Sequence, residues 1–155
     1  MNYNAKFRGV EVGGKNSTKV WKFGFIMTGI LGTFLIDENH AFPSSSMNTD
    51  FDEVDTESVG QFIGIRDEIR KRDVYSGDVY FEEREHDHGD NRIFFIVTWV
   101  KEWSSFLWLS FDEYLTYNNK GISALDADER YDLGDGDMNR LHYFGTVFER
   151  FNEIY

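Results

Sequence analysis

The feature that most restricts this chain is the alternation of aromatic side chains with polar or small ones. Over Val20–Thr28, Trp21, Phe23 and Phe25 alternate with Lys22 and Gly24. This period of two lines one face of a β-strand with aromatic rings. Lys6–Val12 precedes it as a second strand, and Gly13-Gly14-Lys15-Asn16-Ser17 between them supplies the residues a hairpin connection needs. Aromatic and β-branched side chains suit a pleated, half-buried surface. The 15 Phe, 8 Tyr and 4 Trp, with a single Pro and 14 Gly among 155 residues, point to strands joined by tight turns.

The same pattern continues along the chain. Gly29 and Gly32 bracket Ile30-Leu31, and Thr33–Ile36 reads as a short returning strand. Residues 37–55 break the pattern and read as a long surface loop around Pro43-Ser44-Ser45-Ser46. Val59–Ile65 and Val74–Phe81 are strand-like, the latter broken by a turn at Ser76-Gly77-Asp78. A polar loop, Glu82–Asn91, leads to the strand Arg92–Val100, and Lys101-Glu102 turns the chain into Ser105–Leu109. Ser110 with Glu113 three residues on has capping-box spacing and predicts a helical turn. Asn118–Asp137 is a Gly/Asp-rich excursion, and alternation over Leu141–Phe151 predicts a last strand.

Three pieces of this pattern carry a family likeness. The first is Lys6-Phe7-Arg8-Gly9 followed by Trp21-Lys22-Phe23-Gly24-Phe25. The second runs from Val54 to Asp67, Val-Asp-Thr-Glu-Ser-Val-Gly-Gln-Phe-Ile-Gly-Ile-Arg-Asp, and resumes at Val74-Tyr75-Ser76-Gly77-Asp78-Val79. The third is Phe144-Gly145-Thr146-Val147-Phe148-Glu149. In this order the pieces resemble the YopX family of phage and prophage proteins. The family's Asn-Gly turn before its Tyr-x-Gly-Asp motif is replaced here by Glu68-Ile69-Arg70-Lys71-Arg72-Asp73, and Asn118–Arg140 has no counterpart. The resemblance implies an all-β protein of a phage or integrated element, and it brings no catalytic residues to carry over.

The fold class expected is therefore all-β with one or two short helical turns. It would be built from strongly bent sheets or a small barrel, SH3-like around the Gly77-Asp78 turn. Residues 1–155 are read as one domain, with two sub-lobes of about 1–65 and 66–155 sharing one core. Gly60 and Gly64, on one side of their strand, would permit close backbone approach or a bulge.

Charge and composition narrow the function classes. With no cysteine, disulfides, thiolate zinc sites and cysteine nucleophiles are excluded. The opening residues lack an apolar signal-peptide core and no stretch reaches membrane-spanning length, so the chain is expected to be soluble and intracellular; the resemblance implies that this is the cytoplasm of a bacterial host. A net charge of −12 works against general nucleic-acid binding. A basic N-terminal hairpin with Lys19 and Lys22 remains as an alternative, aided by Arg66, Arg70, Lys71 and Arg72 if the fold gathers them.

The candidate chemistry is thin. His86 and His88 would share a face on a strand and could bind a metal with Glu82 or Asp90, but they sit in a polar loop. Asp126, Asp128, Asp132, Asp135 and Asp137 resemble a calcium loop, yet no register puts Gly sixth and Glu twelfth. Ser44–Ser46 has no identifiable histidine partner. No cofactor, metal or catalytic residue is assigned, and no enzyme is expected. Trp99, Trp103, Phe106 and Trp108 read mostly as core, with Trp103 at the meander turn a candidate exposed anchor. The leading expectation is an accessory protein acting through a protein partner or self-association, with Trp103, Lys19, Lys22, Arg70, Lys71 and Arg72 as candidate contact residues.

Overall fold

The computed structural model describes residues 6–13, 19–36, 51–83, 92–121, 125, 138 and 140–154. The chain forms two compact units, Met1–Phe62 and Ile63–Tyr155. It is mainly β, with antiparallel pairing and two short helices. Among the described residues no helix is long and apolar enough to cross a membrane.

The first unit contains β1 (Phe7–Val10), β2 (Trp21–Gly29), β3 (Gly32–Ile36) and β4 (Phe51–Val54), in the order β4-β3-β2-β1. β2 changes partner midway: Trp21–Gly24 pair with β1, and Phe25–Gly29 pair with β3. Glu11 then bridges to Val54, with Val12 N donating to Glu53 O and Asp55 N to Val10 O. The sheet thus bends back on itself, as expected, but does not close, so the barrel expectation is corrected. The long loop expected over 37–55 is also corrected, since its end is strand β4; residues 37–50 lie outside the described residues.

The central motif begins by locking this bend. Leu35 and Val54 are 1% and 2% exposed. Val54 lies so close to Gly9 that a Cβ there would sit 2.9 Å from the Val54 Cβ, so only glycine fits. Asp55 caps the 3-10 turn Thr56–Ser58 by accepting from Glu57 N at 3.0 Å. The buried Ser58 hydroxyl accepts from Val10 N at 2.7 Å and donates to Asp55 O at 2.6 Å.

β5 (Gly60–Asp67) straddles the boundary between the units. Its first residues pair with β1, Gln61 opposite Phe7 and Gly60 opposite Arg8. Gly64 has φ +84° with nothing near its missing Cβ, so the residue supplies a conformation L side chains rarely adopt, and the close approach expected there is absent.

In the second unit β5 continues beside β6 (Arg72–Tyr75), and β7 (Asp78–Glu83), β8 (Arg92–Val100), β9 (Ser105–Ser110) and β10 (His142–Thr146) form a sheet ordered β10-β7-β8-β9. One of its faces carries Tyr80, Val97 and Trp108, packed with Val74, Met138 and Leu141 and flanked by Ile63, Ile65, Phe95 and Tyr143. The other carries Val100, Leu107 and Leu109, covered by Trp103, Tyr114, Tyr117 and Leu125.

One helix is longer than the sequence suggested, and a second stands where a strand was expected. The capping box at Ser110 and Glu113 is present, and it starts not one turn but the helix α1 (Phe111–Lys120). The predicted strand Leu141–Phe151 is corrected: β10 stops at Thr146, and Val147–Ile154 is the helix α2. Thr146 ends the strand by capping that helix, its hydroxyl accepting from Glu149 N at 3.2 Å.

Candidate interaction surfaces

In the first unit the pairing register decides which side chains share a face. Phe25, Ile36 and Phe51 form one row across β2-β3-β4, and Met27, Phe34 and Glu53 form the next. Phe23 lies on the same side of β2. The opposite face holds Ile26, Thr33, Leu35 and Val54, the last three buried. That face also carries Lys22, Thr28 and Asp52, whereas the outer face, with Phe23, Phe25, Met27, Phe34, Ile36 and Phe51, is apolar but only partly covered. Phe23 is 54% exposed, Met27 45% and Phe51 41%, while Ile30 and Leu31 at the hairpin tip are 106% and 86% exposed. Glu53 is the one charged residue of β2, β3 and β4 on this outer face.

The cations proposed as contact residues are largely turned to internal use. Lys22 lies 3.2 Å from an Asp52 oxygen and 3.8 Å from Glu11. The hydrogen bond with Asp52, opposed by burial and helped by both acids' charges, holds its ammonium above the ordinary lysine range. Lys19 is exposed. Arg8, on β1, is buried with its guanidinium 4.9 Å from the centre of the Trp21 ring.

In the second unit Arg70 and Arg72 belong to a buried polar cluster built on the central motif. Asp67 and Asp78 are completely buried. Asp67 accepts from the amides of Ile69 and Arg70 at 3.1 Å and from the Arg70 guanidinium at 2.9 Å, which closes the turn between β5 and β6. Arg70 also donates to Leu141 O. Asp78 accepts from Tyr75 N at 2.9 Å and from Arg72 at 3.2 Å, across a turn where Gly77 has φ +83°. The turn expected at Ser76-Gly77-Asp78 is present, with Gly77 supplying its positive φ and Asp78 binding an amide. Arg72 reaches on to the Tyr80 hydroxyl at 3.3 Å and stacks 3.6 Å from the Tyr143 ring centre. Burial, with the Asp78 charge beside it, pushes the Tyr80 hydroxyl far above the ordinary tyrosine range.

Lys71, between the two arginines, points the other way, exposed and 3.1 Å from Glu68. Trp103 is half-buried against Val100, Leu107 and Leu109. Trp99 is the more exposed tryptophan of the meander, at 45%, and packs on Phe106.

Among the described residues no group of three or more His, Asp or Glu is placed to hold a metal ion. His86, His88, the Asp126–Asp137 cluster and Ser44–Ser46 lie outside the described residues.

Alternation sets Phe23 and Phe25 on one aromatic face of β2, but does not show that Met27, Phe34, Ile36 and Phe51 extend that face across β3 and β4. A signal for it exists: from Phe23 to Ile36 there is no charged side chain, so neither face of this hairpin is marked for solvent. Comparison with protein-family models, with curated proteins and with solved structures found no match.

Proposed function

We propose that this chain is a non-enzymatic accessory protein of phage or prophage type that acts by binding protein through the outer face of β2–β4. One observation carries the reading. Strands β2, β3 and β4 line one face with apolar residues and leave large parts of Phe23, Met27 and Phe51, with the tip residues Ile30 and Leu31, exposed to water. A contiguous exposed apolar surface of this kind marks an interaction site far more often than scattered single residues do. The ordered YopX-like motif pieces support the phage or prophage context.

Contact rather than catalysis is supported by how the buried charges are used. Asp67 with Arg70 and Asp78 with Arg72 are each engaged in closing a turn, with the carboxylates bonded by amide and guanidinium donors. The nucleic-acid alternative is weakened by the ion pairs that hold Lys22 to Asp52 and Glu11.

A photo-crosslinking residue placed at Leu31, in protein expressed in a bacterial host, tests the reading. We expect it to form protein adducts well above those from the same residue at Lys120, exposed at the C-terminal end of helix α1. Equal, background-level adducts at the two positions would refute it.

A further inference from the structure

The face just described has a self-consistent occupant. We infer that it is covered by a second copy of this chain, a deduction that rests on the protein-binding reading above.

Charge is the first argument. At −12, two copies meeting through most surfaces bring acids against acids. The outer face of β2–β4 has only Glu53, beside the tip, among its strand residues, so two such faces meet with little like-charge repulsion. Shape is the second. Two small sheets packed face to face interdigitate their inner side chains at about 10 Å separation, which suits the Phe25-Ile36-Phe51 and Met27-Phe34 rows.

Area is the third. Taking about 100 Å² of apolar surface for a fully exposed side chain, the exposed parts of Phe23, Met27, Ile30, Leu31 and Phe51 amount to roughly 330 Å². A standard interface buries about 800 Å² per partner, a little over half of it apolar. The face falls somewhat short of that. A face of this size suits a weak, reversible dimer, and we expect a Kd on the order of micromolar.

Sedimentation velocity of the full chain over a concentration series tests this. The mass should rise from monomer to dimer as the concentration passes from about 1 to about 100 µM. Phe23→Asp and Leu31→Asp, at exposed positions, should each raise the dimer Kd roughly 30-fold. Hydrogen exchange guards against a misfolded variant: in the wild type, amides of 23–36 and 51–54 should slow with increasing concentration, and those of 105–120 should not.

A monomer at every concentration overturns the inference, as does a dimer indifferent to both substitutions. If the monomer still yields adducts to another protein from position 31, the partner is a different chain, and only the protein-binding reading stands. Binding of the monomer to lipid vesicles through this face would overturn both.

Discussion

Asp78→Ala tests how the second unit holds its central turn. The carboxylate is fully buried and accepts hydrogen bonds from the Tyr75 amide and the Arg72 guanidinium. Without it the Tyr75 N–H, in a residue only 5% exposed, loses its acceptor, at about 1–3 kcal/mol. Arg72 loses its counter-charge too, but 24% of its side-chain surface reaches water. Breaking a fully buried pair costs about 3–5 kcal/mol, so that range is an upper bound here. We expect a loss of about 3 kcal/mol.

The reverse deletion, Arg72→Met, abandons a carboxylate with no exposure at all, so it should cost at least as much. The double variant should be less destabilised than the two singles added together. Urea denaturation followed by tryptophan fluorescence reports on the right unit, because Trp99, Trp103 and Trp108 lie in it and only Trp21 in the other. A loss below about 1 kcal/mol for Asp78→Ala, or a milder effect from Arg72→Met, would show that the carboxylate does not hold the turn.

Two further outcomes follow from the first unit. Gly9→Ala should destabilise it by about 1–3 kcal/mol, measured by the Trp21 fluorescence transition; adding Val54→Ala should restore only part, because the closest contact is with the Val54 Cβ. The Lys22 ammonium, held above its ordinary range by Asp52, contributes stability at neutral pH that is lost as pH climbs past about 10.5. Wild type should therefore lose up to about 1 kcal/mol more than Lys22→Met across that alkaline window, and identical urea curves for the two would remove the ion pair's role.

The strands were legible because each element's local chemistry agrees with its tertiary setting. Arg92–Val100 is a strand end to end, and the Gly77-Asp78 turn does what its residue types require. Misreadings came where two local signals compete. Leu141–Phe151 alternates like a strand, but Thr146-Val147-Phe148-Glu149 is also a helix start, and Val147, Phe151 and Ile154 recur at helical spacing. Capping wins once Gly145, at φ +141° and next to a register shift, interrupts the ladder. The roles of Arg70 and Arg72 were illegible for a different reason. Nothing local says that Asp67 and Asp78 are buried beside them, and an arginine near a turn looks the same whether it faces water or a carboxylate. The exposed face was half legible: alternation marks Trp21, Phe23 and Phe25 as one aromatic row, but nothing local says that this side stays partly in water while Leu35 and Val54 pack the other.

Ser110 and Thr146 each end a strand and begin a helix, with no linker between. Ser110 pairs with Phe95 and Thr146 with Asp78, so each anchors a ladder while capping a helix. These two joints have no slack. One residue inserted after Ser110 would swing α1 by about 100° around its axis and carry Tyr114 and Tyr117 off the Val100, Leu107 and Leu109 surface. Length variation among sequences sharing this architecture should therefore gather elsewhere and spare both strand–helix junctions, which act as fixed rulers for the sheet they border.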